Sequence, residues 1–209
     1  MFPSLYAILD AELAGGEILS IAEALASSGV EIIQYRNKSA SSLAAYTDCV
    51  RLADLLRDRS RFIVNDRADF AALCGAGGVH IGQEDLPVEA ARAVCGNGRW
   101  VGISTHNLAQ FEAARETSAD YLALGPIFTT ATKNNPDPAV GVDFVRRVRP
   151  MTPKPIVAIG GITLENAEEV YRAGADSIAV IRELVKAPDP ARRAEQFLNL
   201  AREVRGSRN

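Results

Sequence analysis

Eight short apolar runs, each followed by a stretch with the periodicity of an amphipathic helix, recur along this 209-residue chain. The runs are rich in β-branched residues and nearly continuous in hydrophobicity, which is typical of parallel strands buried on both faces. The predicted strands are Leu5–Leu9, Glu31–Tyr35, Phe62–Asn65, Gly78–Ile81, Trp100–Ser104, Tyr121–Leu124, Ile156–Ile159 and Ser177–Ile181.

The intervening stretches predict helices. Apolar residues recur there every three or four positions, so each stretch has one face to bury. The predicted helices are Ile18–Ser28, Leu43–Arg57, Val88–Val94, Leu108–Glu116, Val142–Val148, Leu164–Arg172 and Ala191–Val204. Gly29, Gly75 and Gly174 suit left-handed helix ends, and Pro87, Asn107 and Thr163 suit helix starts.

Eight strand-then-helix units in a chain of this length predict a closed (β/α)₈ TIM barrel of the α/β class rather than an open sheet. The sequence shows no linker, low-complexity stretch or second domain. We therefore expect residues 1–209 to form a single catalytic barrel domain.

Composition narrows the functional classes. A formal net charge of −3 argues against nucleic-acid binding, which needs a broad basic surface. Cys49, Cys74 and Cys95 form no CxxC pair, so we expect reduced thiols and a cytoplasmic protein, with Cys49 and Cys74 packed in the core. No signal peptide and no membrane-spanning run is evident, so no membrane partner is expected.

Active sites of such barrels lie at the carboxyl ends of the strands, so the residues after each strand matter most. Gln34, Arg36 and Lys38 follow the second strand at alternate positions and should converge on one side. Two cations and an amide suit a diphosphate, although a solvated strand end is an alternative.

Two acids follow neighbouring strands. Asp66 comes directly after the third strand and Asp85 follows the fourth. Mg²⁺ is commonly held by one or two carboxylates together with substrate phosphates, so the pair predicts a magnesium site. The alternative for a single such acid, Asp85 above all, is a helix cap before Pro87.

Strands five and six are followed by hydroxyl-bearing segments. Ser104 should donate a hydrogen bond into the barrel mouth. His106 could act as an acid or base but has no evident carboxylate partner in the sequence, and His80, inside a strand, is interpreted as a packed histidine. The long segment 125–138 carries threonines and Lys133, which suits phosphate binding and a lid.

A second anion site is expected at the last two strands. Gly160 and Gly161 follow the seventh strand, and Ile181 and Arg182 follow the eighth. Glycine lets backbone amides approach a phosphate closely, and these loops often carry such a site. The mouth would thus take two phosphorylated small molecules, one of them a diphosphate.

Six motifs in this order resemble the thiamine-phosphate synthase (thiamine phosphate pyrophosphorylase) family, over essentially the whole chain. They are Gln34-Tyr35-Arg36-Asn37-Lys38, Asn65-Asp66-Arg67, Gly82-Gln83-Glu84-Asp85-Leu86-Pro87, Gly102-Ile103-Ser104-Thr105-His106, Gly125 to Lys133, and Ala158-Ile159-Gly160-Gly161-Ile162.

The resemblance implies a role for each matching position. Asp66 and Asp85 would bind Mg²⁺, and Lys133, Arg36, Lys38 and Ser104 would be the catalytic residues. The pyrimidine diphosphate would contact Gln34, Tyr35, Arg36, Asn37, Lys38, Asn65, Ser104 and Lys133, and the thiazole phosphate would contact Thr130, Ala131, Thr132, Gly161, Ile181 and Arg182.

The reaction implied by the resemblance joins 4-amino-2-methyl-5-hydroxymethylpyrimidine diphosphate to 4-methyl-5-hydroxyethylthiazole phosphate. The products are thiamine phosphate and pyrophosphate, formed by a dissociative mechanism in which the diphosphate leaves first. Many members have Ser where this chain has Arg182. Backbone binding of the thiazole phosphate survives that change, whereas a hydroxyl contact does not.

Two alternatives use the same scaffold. A thiazole tautomerase-like isomerase would tend to lose the metal-binding acids and place His at the position of Pro126. A non-catalytic regulatory barrel would keep the pocket without turnover, and an epimerase would need an acid–base pair that the sequence does not show. Whether the protein forms a homo-oligomer, and whether the thiazole is aromatic or carboxylated, stays open.

Overall fold

Eight parallel strands close into a barrel in the computed structural model, which describes residues 1–129 and 138–207. Each strand pairs with the next along the chain, and β8 returns to pair with β1. The strands are β1 (Leu5–Asp10), β2 (Ile32–Arg36), β3 (Arg61–Asn65), β4 (Gly78–Ile81), β5 (Trp100–Thr105), β6 (Tyr121–Leu124), β7 (Ile156–Ile159) and β8 (Ser177–Val180). The predicted (β/α)₈ barrel is confirmed, and each predicted strand end lies within one residue of the observed one.

Helices surround the barrel. They are α1 (Ala11–Ala14), α2 (Ile18–Ser27), α3 (Ser42–Leu55), α4 (Ala68–Leu73), α5 (Val88–Cys95), α6 (Leu108–Arg115), α7 (Val142–Val148), α8 (Ala167–Arg172), α9 (Arg182–Val185) and α10 (Pro190–Gly206). The four-residue helices α1 and α9 were not predicted, because one turn is too short to show a helical period. Helix α4 was predicted only as the helix that ends before Gly75, without a range.

One predicted helix start is wrong. Helix α8 begins at Ala167 rather than Leu164, and its N-cap is Asn166 rather than Thr163. The Asn166 side chain instead organises the preceding turn, accepting from Thr163 N at 2.8 Å and donating to Gly161 O at 3.0 Å. Local side-chain bonds of this kind compete with helix formation and delay its start.

Alternation along the strands creates two packing layers. Inward side chains fill the barrel itself, with Tyr6, Ile32, Ile63 and Tyr121 among them, while outward side chains pack against the helices. Cys49 is buried in the outer layer, which confirms its predicted core packing, and the partly buried Cys74 packs against that layer; Cys95 is buried as well. None of the described helices is long and apolar enough to cross a membrane.

Candidate active site

Arg36 is held by an acid that sequence reasoning missed. Asp10, at the end of β1, lies opposite Arg36 in the parallel register, and the two side chains form an ion pair. Asp10 is 4% exposed and its other carboxylate oxygen accepts from Leu13 N at 3.1 Å, capping α1. The signal was present, because Asp10 follows the first strand just as Asp66 follows the third.

The two predicted metal ligands lie after neighbouring parallel strands, β3 and β4. Neither acid caps the following helix, because the N-caps of α4 and α5 are Arg67 and Pro87 and neither makes a side-chain cap bond. Asp85 accepts from Gly82 N at 2.7 Å within its own loop. The capping alternative is therefore wrong for both acids.

Asp66 has an unusual environment for a carboxylate. Its backbone is left-handed, with φ of 61°, and its N–H donates to His80 O at 2.7 Å, so β4 holds the strained turn in place. Lys38 donates to Asp66 Oδ2. Burial raises the pKa of the Asp66 carboxyl, and the adjacent Asp85 carboxyl raises it further, while Lys38 opposes the rise.

This donor set fits a hard divalent cation. Two carboxylates close enough to raise one pKa repel each other, and a cation between them would relieve the repulsion. Among the described residues no group of three or more His, Cys, Asp or Glu side chains could hold a metal. A site with only two carboxylates suits Mg²⁺, which keeps several waters and substrate phosphates in its shell.

Side chains from Gln34 to Lys38 alternate between the barrel side and the outer layer. Gln34 is buried inside the barrel, and its Nε2 donates to Tyr6 Oη at 2.7 Å. Arg36 continues on that side and Lys38 reaches across to Asp66. The structure thus brings Gln34, Arg36 and Lys38 to the sector that also contains the two acids.

Tyr35 and Asn37 require a correction as side-chain ligands. Tyr35 belongs to the outer layer, where its hydroxyl donates to Asp48 Oδ2 of α3 at 2.8 Å. Asn37 donates to Tyr35 Oη at 3.0 Å and accepts from Ser39 N and Ala40 N. Both side chains therefore support the loop, because neighbours along a strand face opposite ways.

Ser104 contacts a histidine, which the sequence did not predict. Its Oγ lies 2.9 Å from His80 Nε2, and His80 Nδ1 lies 3.0 Å from Tyr121 Oη. Asn65, at the end of β3, is in register with His80 of β4. His80 is buried, as expected of a packed histidine, but its ring links the barrel interior to Ser104 at the mouth.

His106 is engaged with the neighbouring loop. Its Nδ1 contacts Gly125 O after β6, and its backbone N–H donates to Gln110 Oε1 at 2.7 Å. The ring contact ties the end of β5 to the end of β6. It gives the His106 ring a structural role in joining two loops.

Gly160 and Gly161 allow two loops to meet at the mouth. Both have positive φ, of 100° and 65°. A Cβ on Gly161 would lie 2.5 Å from Thr129 O, and one on Gly160 would lie 2.5 Å from Pro126 Cβ. The glycine pair is therefore required by close packing of the β6 and β7 loops, whatever it binds.

The residues after β8 begin a short helix. Ile181 is the N-cap of α9 and Arg182 is its first residue, with an exposed side chain. Within the described part of the chain Arg182 makes no ion pair. Thr130, Ala131, Thr132 and Lys133 lie outside the described residues, so their predicted contacts stay predictions.

A cavity of about 590 Å³ lies at the opposite end of the barrel, near Arg61, Phe62 and Trp100. Arg61 and Trp100 start β3 and β5, so this cavity opens at the amino ends of the strands. Barrel enzymes bind and convert their substrates at the carboxyl ends of the strands, where the charged groups of this chain converge. We therefore place the active site away from this cavity.

Comparison with known proteins identifies the family. The family model described as thiamine monophosphate synthase matches residues 5–184. The chain belongs to the thiamine monophosphate synthase family. A thiamine-phosphate synthase of Koribacter versatilis is 47% identical over 203 residues, which span 95% of each chain. That of Gloeobacter violaceus is 44% identical over 87% of this chain, but this chain spans about half (53%) of that relative.

A solved structure of the same family has the same fold. Thiamine phosphate pyrophosphorylase from Pyrococcus furiosus superposes with a TM-score of 0.87 at 35% identity, covering 96% of both chains. These relatives confirm the resemblance drawn from the six motifs. They also identify the chain as an enzyme, a transferase, rather than a non-catalytic barrel.

Proposed function

We propose that this protein is a thiamine-phosphate synthase. It would join 4-amino-2-methyl-5-hydroxymethylpyrimidine diphosphate to 4-methyl-5-hydroxyethylthiazole phosphate, releasing pyrophosphate and contributing thiamine phosphate to thiamine biosynthesis. The observation that supports this most is the grouping of Asp66, Asp85, Lys38 and Arg36 in one sector of the mouth. Two acids and two cations there match a metal-bound diphosphate.

The acids would hold Mg²⁺ through their carboxylate oxygens. When bound, the metal would neutralise charge that develops on the departing pyrophosphate. Lys38 would exchange its bond with Asp66 for a diphosphate oxygen, because a cation beside Asp66 takes over the role of neutralising it. Arg36, oriented by Asp10, would present its guanidinium to the same group.

We propose that the mechanism is dissociative. Charge stabilisation at the leaving group and positioning of two substrates then supply most of the catalysis. The thiazole phosphate would sit at the β7 and β8 loops, near Gly161 and the Ile181–Arg182 backbone. Thr130, Thr132 and Lys133 would complete the two sites from the segment between them.

The rival isomerase hypothesis is less well supported. This chain has Pro126 where a tautomerase-like relative would place histidine, and it retains both acids. A rearrangement of one thiazole would leave the Asp66–Asp85 pair without a diphosphate to bind.

The cytoplasmic location predicted from the cysteines also stays a prediction.

The test is direct. The protein is mixed with both substrates and Mg²⁺, and thiamine phosphate and pyrophosphate are measured by chromatography. We expect both products in equal amounts, and none when either substrate is omitted. Folded protein that isomerises a thiazole carboxylate phosphate but makes no thiamine phosphate would overturn the proposal in favour of the isomerase.

A further inference from the structure

A chain of four hydrogen bonds, three of them buried and the last part-buried, crosses the barrel interior and joins two of the proposed ligand positions. It runs from Gln34 Nε2 to Tyr6 Oη (2.7 Å), to Tyr121 Oη (2.9 Å), to His80 Nδ1 (3.0 Å), and from His80 Nε2 to Ser104 Oγ (2.9 Å). Gln34 lies on β2 and Ser104 on β5, so the chain connects opposite parts of the mouth.

The barrel interior has room for the Tyr121 ring because residue 102 is glycine. A Cβ on Gly102 of β5 would lie 2.0 Å from Tyr121 Cζ, so only glycine leaves room for that ring. Tyr121 also stacks on His80, with ring centroids 5.6 Å apart, and meets Tyr6 edge-on at 5.8 Å. The position of Tyr121 is thus determined by shape as well as by hydrogen bonds.

The number of available protons fixes the direction of the hydrogen-bond chain. Each phenol has a single proton, and burial raises the pKa of Tyr6 and of Tyr121 above the ordinary value, so both keep it. Gln34 Nε2 donates to Tyr6. Tyr6 must then donate to Tyr121, which is its other hydrogen-bond partner in the described part of the chain.

The same direction continues to the mouth. Tyr121 donates to His80 Nδ1, so that nitrogen carries no proton, and a neutral ring carries it on Nε2. His80 therefore donates to Ser104, and the Ser104 proton is left to point at a ligand. The opposite direction would need the Gln34 amide turned over, so that its oxygen accepts from Tyr6, and Ser104 would then give its proton to His80 as in a nucleophile–base pair.

We propose that Tyr121 is a positioning residue that holds His80 as the Nε2–H tautomer and makes Ser104 a hydrogen-bond donor into the mouth. Ser104 is then a ligand-binding donor and not an activated nucleophile. Gln34 is fixed at the other end, with its carbonyl oxygen available as an acceptor. The proposed tautomer does not depend on the proposed function, whereas the effect on substrate rests on it.

The first experiment determines the tautomer in the free protein. The chain has two histidines, so two-dimensional ¹⁵N–¹H spectra of the side chains resolve both rings, and His106→Gln assigns them. We expect His80 to be protonated at Nε2 and to accept at Nδ1. An Nδ1–H tautomer of His80 would overturn the proposal, whether or not the protein makes thiamine phosphate.

Two variants separate the links. Tyr121→Phe removes the donor to His80 Nδ1, so His80 should lose its single tautomer. Tyr6→Phe leaves the Tyr121–His80 contact intact, so the tautomer should persist. If Tyr121→Phe keeps the pure Nε2–H form, Tyr121 does not set the tautomer and the proposal fails. If Tyr121→Phe does not fold, the wild-type and Tyr6→Phe spectra still decide the direction.

Kinetics then test the consequence for substrate. Loss of one oriented hydrogen bond should lower kcat/KM for the pyrimidine diphosphate about tenfold in Tyr121→Phe, with the KM for the thiazole phosphate unchanged. The matched control is Tyr171→Phe, which removes a buried phenol bonded to Ser4 O outside the chain of four hydrogen bonds. Equal losses in both variants would mean a merely structural role and would overturn the positioning proposal.

Discussion

At the scale of single residues, buried polar groups differ in whether they are satisfied. Ser177 in β8 is fully buried, and its Oγ has no hydrogen-bond partner among the described residues. Thr105 in β5 is equally buried, but its Oγ1 donates to Ala123 O at 3.0 Å. An unpaired buried hydroxyl keeps its desolvation cost without compensation, whereas a paired one offsets it.

This contrast predicts opposite outcomes for two conservative substitutions. Ser177→Ala should leave the free energy of unfolding unchanged or raise it slightly, because it removes an unpaired group. Thr105→Val should lower it by about 1 kcal/mol, because it removes a formed bond at nearly constant volume. Urea unfolding of both variants measures the difference. A loss in Ser177→Ala as large as that in Thr105→Val would show that the Ser177 hydroxyl is satisfied.

Also at this scale, Asp10 does two things that one substitution separates. Asn retains an oxygen to cap α1 but loses the charge that holds Arg36. We expect Asp10→Asn to keep most of the stability and to raise the KM for the pyrimidine diphosphate, because Arg36 is no longer oriented. Asp10→Ala, which also removes the cap, should cost about 1 kcal/mol more in urea unfolding. An unchanged KM in both variants would mean that Arg36 does not need Asp10.

At the scale of elements, the mouth is assembled by loops that touch across neighbouring strands. Ile127 N donates to Ile159 O at 2.8 Å and Phe128 N donates to Gly160 O at 3.0 Å, which joins the β6 and β7 loops. Gly161 lies at the centre of this junction. The proposed thiazole phosphate site therefore depends on how two loops pack, and not on a flexible glycine turn alone.

Two glycine substitutions distinguish packing from backbone strain. Gly98 has φ of 85°, and no atom of the described residues lies within 4 Å of the position that a Cβ would take there. Gly161 has φ of 65°, but its Cβ would meet Thr129 O at 2.5 Å. Gly98→Ala should cost about 1 kcal/mol in unfolding, from the left-handed backbone alone. Gly161→Ala should cost clearly more and also raise the KM for the thiazole phosphate. Thermal and urea unfolding measure the loss of stability in each variant. An equal loss in Gly98→Ala and Gly161→Ala would contradict the packing argument.

At the scale of the whole molecule, the barrel places the acids and cations of distant segments around one opening. Asp10, Arg36, Lys38, Asp66 and Asp85 come from four successive strand–loop units. Their side chains neutralise one another in pairs, Asp10 with Arg36 and Lys38 with Asp66. We expect this charge balance to shift when a metal and a diphosphate bind together.

The proposed metal pair predicts a magnesium-linked loss of pyrophosphate binding. Asp66→Asn and Asp85→Asn should each weaken pyrophosphate binding in Mg²⁺ by at least about tenfold, since even groups that only support a metal ligand have effects of that size. Without Mg²⁺ the variants should bind pyrophosphate at least as tightly as the parent, because each has lost a carboxylate that repels the anion. Calorimetric titration with and without chelator measures both conditions.

Asp69→Asn is the control for that experiment. Asp69 lies three residues beyond Asp66 and pairs with Arg67, which lowers the pKa of the Asp69 carboxyl. Both Asp69 carboxylate oxygens accept from Arg67, so substitution of Asp69 should leave magnesium-dependent binding unchanged. If Asp69→Asn weakened binding as much as Asp66→Asn, a general charge effect would replace the metal site as the explanation.

Much of this fold could be predicted from the sequence, because it depends on patterns among neighbouring residues. Strand and helix periods are written in neighbouring residues, so the eight strand–helix units and the barrel followed from them. The acids could be placed because parallel strands end at one edge. The same alternation that grouped Gln34, Arg36 and Lys38 also implied that Tyr35 faces outward, although the family motif had grouped it with them.

Contacts between residues far apart in the chain became visible only in the folded barrel. Tyr6 and Tyr121 are 115 positions apart, and Arg36 meets Asp10 across 26. No local pattern encodes such a pairing, because it depends on strand register and on the space that Gly102 leaves inside the closed barrel. A serine, a histidine and two tyrosines with unremarkable neighbours in sequence thus become one directed chain only after the barrel has closed.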